Sequence, residues 1–576
     1  MRNLILFTSL AGMFFSVRAQ LSPDAGSLFV PPVDIQMLLS ANFGELRADH
    51  FHSGIDIKTR GRSGLPVYAC ADGYISRIAV TPNGFGKALY IAHPNGYTTV
   101  YAHLDSFMPG VEAWVRNEQY SRKSYAINLF PGPEQFPVTR GQQIGLSGNT
   151  GSSAGPHLHF EIRNSRNQNP LDPLPFFPEI EDDIRPVIQH IYLYPLAPGS
   201  TVQGRTEKKE IPVSGNKGRY SLNAPEPVPV SGTFGIGIEA IDYVNHSWNK
   251  CGAHSLEVKL DGRKIYAHHI GEFSFAETRY INSHIDYAER VTSGKNIQKT
   301  FPDPNNRLSI YDSDIRHSGR ITLTDTLVHT ITIDVTDSHG NRSNLAFTVL
   351  KQERPGPVAI SGRTNQTALF QWQNDNIYES QGFKIRVPPG TLYDTLCFTY
   401  ARTERIPGSF SRVHHIDRIT TPAHNPFQIW IAPDSVPAGL ENKMCLVHID
   451  KEGEYQCAGG SWEGKYLTTR TRQFGKYTVL ADTMPPVIEP VNIRHEKNMS
   501  RNEDIRVKIK DDLSGIRTYH GYIDNRWALF EYDPKNDMLI YRFDPERVEG
   551  DRWHELVLTV VDEKENFSVY HARFYW

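Results

Sequence analysis

Between Gly44 and Phe176 the apolar positions fall into short runs that alternate with polar ones, and glycines punctuate the runs. Alternation of period two over four to eight residues is the mark of a half-buried strand. It predicts strands from Leu65 to Ala69, Gly73 to Ala79, Ala88 to Ala92, Tyr97 to His103, Gln143 to Leu146 and His157 to Ile162. Asn95-Gly96 lies between two of them and is a hairpin signal, because both residues tolerate positive φ. A two-residue turn there would set His103 opposite Ala88 and His93 opposite Thr98. From Pro109 to Pro137 the alternation stops, and this stretch reads as a long loop or a short helical insertion.

Beyond Asp182 the alternating strands lengthen and a weak repeat emerges. Asp182 leads into Pro186-Val187-Ile188, and Asp482 leads into Pro486-Val487-Ile488. The two segments also close alike: Ile331 to Asp337, followed by Asn341 and Ser343, matches Leu556 to Asp562, followed by Asn566 and Ser568. A strand running into Asp-x-x-x-Asn is a frequent end to a sandwich edge, since Asp and Asn bond their own turn backbone. The pattern predicts β-sandwich, Ig-like modules over 184–352 and 484–576. A third β-rich module of unassigned type, over 353–482, opens on the linker Arg354-Pro355-Gly356-Pro357. The N-terminal domain is placed at 25–183.

Composition strengthens the mainly β reading. The chain of 576 residues holds 44 glycines, 38 prolines, 27 tyrosines and 28 phenylalanines, the mix of short strands and tight turns. A formal net charge of -3 gives no concentrated basic face, so no nucleic-acid partner is expected. Arg2, an apolar stretch from Leu4 to Phe15 and Val17-Arg18-Ala19 form a processing signature. Residues 1–19 are therefore read as a signal peptide cut before Gln20, and the mature chain as secreted or periplasmic; an uncleaved N-terminal anchor is the alternative. No later run reaches ~18 apolar residues, so no transmembrane segment is expected after signal removal. The five cysteines are too few and scattered for a disulfide scaffold. Only Cys445 and Cys457, flanking the turn signal Asp450 to Gly453, could meet across a hairpin.

Chemistry concentrates in the first domain. On a strand, His157, His159 and Glu161 share one face while Leu158, Phe160 and Ile162 share the other. His52 and Asp56 are four apart, a span of ~13 Å if extended, so one ion can hold both only if the chain bends at Ser53-Gly54. Each pattern alone has a bland reading as solvent-facing polarity. Together in one glycine-punctuated domain they offer two imidazoles and a carboxylate, which suits a catalytic zinc with three protein ligands and an open position. His103 ends a strand in the same domain. Gly148-Asn149-Thr150-Gly151 lacks the spacing and lysine of a nucleotide loop and reads as a tight turn bordering a groove. The adjacent pairs His268-His269 and His414-His415 point to opposite strand faces and read as surface or packing.

Phe51-His52-Ser53-Gly54-Ile55-Asp56-Ile57, Tyr101-Ala102-His103-Leu104, Gly145 to Gly151 and Gly155-Pro156-His157-Leu158-His159-Phe160-Glu161 resemble, in order, the signature blocks of lysostaphin/LytM-type metalloendopeptidases. The resemblance covers about 140 residues. It implies an antiparallel β domain with a narrow groove (a duplicated hybrid motif), Zn2+ held by His52, Asp56 and His159, and His103 with His157 as the catalytic pair. The implied substrate is a peptide of bacterial peptidoglycan. Two alternatives stay open: a non-catalytic regulator of cell-wall amidases, and a protease acting on a secreted protein. The downstream modules could bind a protein or wall ligand. Glu161 is expected to support His159 and not to act as the base.

Overall fold

The computed structural model describes residues 28–313, 316–353 and 367–576; the signal segment and the Arg354 to Pro357 linker lie outside the described residues. The N-terminal domain is built on β1 (Leu39–Ala41), β2 (Ile55–Lys58), β3 (Gly73–Val80), β4 (Lys87–Ala92), β5 (Tyr97–Leu104), α1 (Pro109–Arg122), β6 (Ile127–Leu129), β7 (Gln143–Leu146) and β8 (His157–Asn164). Its main sheet runs β1-β2-β8-β5-β4-β3-β6, antiparallel at every pairing, while β7 pairs in a small sheet with Pro66–Tyr68 and Ser106–Phe107. Alternation along β8 works as expected: Leu158, Phe160 and Ile162 are fully buried in the domain core. Each such side chain contributes roughly 1.5–3 kcal/mol through burial.

The hairpin differs from the expected register. Ala92 pairs with Thr98, and His93 closes the turn through its N–H to Tyr97 O (3.0 Å), so the connection is Pro94-Asn95-Gly96. Proline lengthens the turn by a residue, and a bulge between Lys87 and Leu89 then shifts the pairing back to Lys87 with Leu104. The broken stretch after Pro109 is a 14-residue helix with Pro109 in its first turn and Lys123 as a left-handed C-cap (φ 48°). It buries Val111 and Val115 against the domain core.

Downstream the chain stays β. From β9 (Val187–Pro195) and β10 (Thr233–Ile241) to β11 (Val328–Thr336) and β12 (Arg342–Lys351), a twelve-stranded sheet closes over one core. Residues 367–482 form chiefly two five-stranded sheets around another core. The last unit, with β13 (Val487–Pro490), β14 (Asp504–Lys510), β15 (Trp553–Asp562) and β16 (Phe567–Tyr575), packs a four-stranded on a five-stranded sheet. Cys445 and Cys457 do share a hairpin, Met444–Ile449 with Tyr455–Cys457, and both are free thiols. Among the described residues no helix is long and apolar enough to cross a membrane.

The bend before β2 depends on a missing side chain. A Cβ at Gly54 would stand 2.2 Å from Phe160 O on the neighbouring strand. Gly54→Ala should therefore push β2 from β8 and cost about 1–3 kcal/mol, read as a lower midpoint for the first thermal transition; an unchanged midpoint would contradict this packing.

Candidate metal centre

Three antiparallel strands set the site. β8 lies between β2 and β5, with His159 opposite Asp56 on one side and Ala102 on the other. Residues opposite each other across a pairing share a face, so Asp56 and His159 point the same way. The bend at Ser53-Gly54 then brings His52 over them. His52 Nε2 stands 3.1 Å from Asp56 Oδ1 and 3.1 Å from His159 Nδ1, and His159 Nδ1 stands 2.9 Å from Asp56 Oδ1. Ligands at ~2.0–2.2 Å around a tetrahedral ion stand roughly 3.3–3.6 Å apart, so this triangle is a slightly contracted ligand set. The donor atoms fit one metal ion.

Both imidazoles are held in the tautomer that frees the inward nitrogen. His52 Nδ1 donates to Asn42 O (2.7 Å), leaving Nε2 as a lone pair. His159 Nε2 donates to Glu161 Oε1 (2.9 Å), leaving Nδ1. Glu161 is fully buried and also accepts from Ser53 Oγ and from Arg163 Nε, each at 2.5 Å. Its carboxylate thus orients a ligand from behind, as expected of an outer partner. Burial would raise Glu161, but the Arg163 charge and the His159 hydrogen bond hold it down to about 2.

His103 and His157 meet on the same side, their rings 4.7 Å apart. Strict alternation would send His103 to the core side with Tyr101. It escapes because its backbone is left-handed (φ 59°) next to the β4–β5 bulge, which drops Leu104 into the core in its place. That conformation costs a non-glycine residue roughly 1–2 kcal/mol. His103 Nδ1 donates to Thr150 O (2.8 Å), and His157 Nδ1 to Gly155 O (2.8 Å). His157 Nε2 faces the ligand cluster, 3.5 Å from Asp56 Oδ1. Burial, with the charges of His159 and His157, pushes His103 down to about 3, so it stays a neutral acceptor near pH 7. The 148–151 turn borders this pair, and Phe85 stacks 5.0 Å from the His159 ring as a wall.

All five residues singled out in the sequence come together. His93 does not join them: it is buried against Asp72 O and Thr99 Oγ1. His268 and His414 are packing residues, bonded to Tyr266 and Tyr400 hydroxyls. Two neighbours carried no sequence signal. Arg47 reaches Asp56 Oδ2 at 3.4 Å, and Asn42 contributes only its carbonyl.

The model of peptidase family M23 matches residues 50–120 and 133–173, and that of a Zu5-like domain matches 367–482. An uncharacterized metalloprotease of Haemophilus influenzae is 36% identical over 121 residues, covering 21% of this chain and 20% of that protein. The DD-carboxypeptidase/endopeptidase Mpg of Neisseria meningitidis is 32% identical over 154 residues (26% and 29%). Peptidoglycan DD-endopeptidase ShyA of Vibrio cholerae is 34% identical over 137 residues (23% and 26%). The chain thus spans less than a third of the length of each of these relatives. The stretch containing the five-residue cluster belongs to peptidase family M23, in its lysostaphin/LytM form.

Without metal, the inward Nδ1 of His159 takes up a second proton, shared with Asp56 Oδ1. Burial opposes that charge, but hydrogen bonds to Asp56 and Glu161 outweigh it and lift the imidazole to about 9. An ion taking Nδ1 must displace this proton. Adding Zn2+ to chelator-stripped protein at pH 7 should release about one proton per site, fading as pH rises through about 9. Calorimetry in buffers of differing ionisation enthalpy reads this directly; heats independent of buffer at pH 7 would contradict it.

Proposed function

We propose that this chain is a zinc-dependent endopeptidase that hydrolyses peptide bonds in peptidoglycan stems or cross-links. The observation that carries the proposal is the convergence of His52, Asp56 and His159 on one point with His103 and His157 beside it. Two imidazoles and a carboxylate with a free side suit zinc, which supplies a Lewis acid for a scissile carbonyl and makes a water more acidic. His103 presents a neutral Nε2, because its Nδ1 proton is committed to Thr150 O. It can take a proton from an attacking water and hold it above the groove. His157 presents Nε2 towards the same space and can steady a developing oxyanion or protonate the departing amine. The cell-wall substrate is supported by the ShyA and Mpg relatives, and envelope localisation follows from that substrate.

The two sets of residues separate in a test. Purified full-length protein should bind one zinc and release new amines from peptidoglycan, with products identified by mass. His159→Ala should lose both zinc and hydrolysis. His103→Ala should keep zinc and fall roughly 10²–10⁴-fold in rate. Full hydrolysis by His159→Ala would displace the assigned centre, and a zinc-loaded wild type that cuts nothing yet stimulates an amidase would make the chain a regulator.

A further inference from the structure

The repeat noted in the sequence converges in space on two matching pockets of carboxylates, one where the chain enters each flanking β unit. Register makes the equivalence strict. β13 pairs with β14 as β9 pairs with β10: Val487 faces Lys510, and Val187 faces Ile241. The residues that follow, Asp511 and Asp242, therefore occupy the same place. Asp482 corresponds to Asp182, and Asp562, at the end of β15, corresponds to Asp337 after β11. Their bonding repeats as well. Asp337 Oδ1 accepts the His339 and Asn341 N–H groups (2.9 Å each), and Asp562 Oδ1 accepts those of Lys564 and Asn566 (2.8 Å each). Asn341 Nδ2 donates to Asp337 Oδ2 and Asp182 O (2.9 Å each); Asn566 Nδ2 donates to Asp562 Oδ2 (2.7 Å) and Asp482 O (3.1 Å).

What these bonds leave over points to a ligand. Asp182 has a side chain 1% exposed, and its Oδ2 has no hydrogen-bond partner; Asp242 is 2% exposed, and its Oδ1 has none either. The nearest cation-forming group is His339, with Nδ1 3.7 Å from Asp182 Oδ2. His339 Nε2 is bonded to Ile180 O (2.8 Å), and its Nδ1 stays beyond hydrogen-bond distance of Asp182 Oδ2. Burial and the charges of Asp337 and Asp182 push Asp242 up to about 8, a measure of uncompensated negative potential. In the C-terminal unit Asp482 and Asp562 are buried, and the unpartnered buried atom is Ser514 Oγ. Buried charge without a counter-ion is costly.

Asp182, Asp337 and His339 offer donor atoms within 4.8 Å of one another, and so do Asp482, Asp511 and Asp562. Two oxygens on opposite sides of a Ca2+ ion, each at ~2.4 Å, stand about 4.8 Å apart. The oxygen donors shared by both pockets select a hard cation, and an irregular cage with turn backbone suits Ca2+ better than the strict octahedron of Mg2+. We propose that the chain binds two Ca2+ ions, one at Asp182 and Asp337, with Asp242 at the register position that Asp511 holds in the other unit, and one at Asp482/Asp511/Asp562, each fastening an incoming linker to the last turn of its β unit.

The test uses zinc-loaded full-length protein treated with a calcium-selective chelator. Equilibrium dialysis at about 5 mM calcium, a level set by the weak affinities of extracellular calcium modules, should give two Ca2+ per chain. Asp182→Asn and Asp482→Asn should each give one, and the double variant none. These asparagines keep the Oδ1 that accepts the Ile184 and Met484 N–H groups, while Asp482→Asn gives up the Oδ2 that accepts from Ser514 N–H (3.0 Å). Calcium should raise the melting temperature of the wild type by about 4 °C or more and that of the double variant by none. Without calcium Asp182→Asn should melt no lower than the wild type, since it removes a carboxylate oxygen that has no hydrogen-bond partner. No calcium-dependent shift in the wild type, equal stoichiometry in the variants, or an Asp182→Asn variant that melts lower with and without calcium would overturn the proposal, and an equal response to Mg2+ would overturn the choice of ion.

Discussion

One register dominates this structure: β8 held between β2 and β5 with His159 level with Asp56 and Ala102. Sheet side chains alternate with period two, so a slip of one residue would exchange every face. It would bury His159 and Glu161 in the hydrophobic core and expose Leu158, Phe160 and Ile162. The apolar face of β8 therefore fixes the polar face, and metal-ligand geometry is a by-product of core packing. Gly54 is part of the same constraint, because only a residue without Cβ lets His52 turn across Phe160 O.

The centre stores cost as well as stability. Glu161 and Arg163 are buried charges, and neither would be tolerable alone. They are kept because each finds a partner and because Glu161 in turn fixes the His159 ring. His103 holds a left-handed backbone for which the bulge in β4 and β5 makes room. Strain of this kind persists only where surrounding structure over-determines it, and here the surroundings are the buried strands of the main sheet.

Side-chain chemistry was legible where residue type and period agree. The His157/His159 face, the bend between His52 and Asp56 and the paired Asp-x-x-x-Asn strand ends all show in the sequence, while the stretch after Pro109 was readable only as a loop or a short helix. His103 was legible only through resemblance, since alternation alone puts it on the core side. The hairpin register was misread because Pro94 joins the turn. Partners that act through backbone carbonyls, Asn42 O and Thr150 O, carry no residue-type signal. The carboxylate pockets were half visible: a weak repeat placed Asp182, Asp337, Asp482 and Asp562, but Asp242 and Asp511 follow only from strand pairing.

Long-range docking was invisible because its residues are scattered, yet it reaches two of the three carbonyls that orient the histidines. Asn42, whose carbonyl fixes His52, is pinned by its side chain to Gly252 N and O at 2.8 Å each, in the β unit that follows the N-terminal domain. Phe43 and Phe51, flanking the same segment, stack on Phe273 of that unit. On the other side, Lys535 of the C-terminal unit donates to Asn149 O and Gly151 O, the carbonyls either side of the Thr150 O that fixes His103. The C-terminal unit is itself anchored on α1, through Trp527 against Tyr120 (5.3 Å), Arg547 over the Tyr120 ring (4.4 Å) and the Arg116–Asp544 pair (3.3 Å). The units after residue 183 therefore brace the two segments that carry Asn42 O and Thr150 O. The helix α1 is thus the surface on which the C-terminal unit rests.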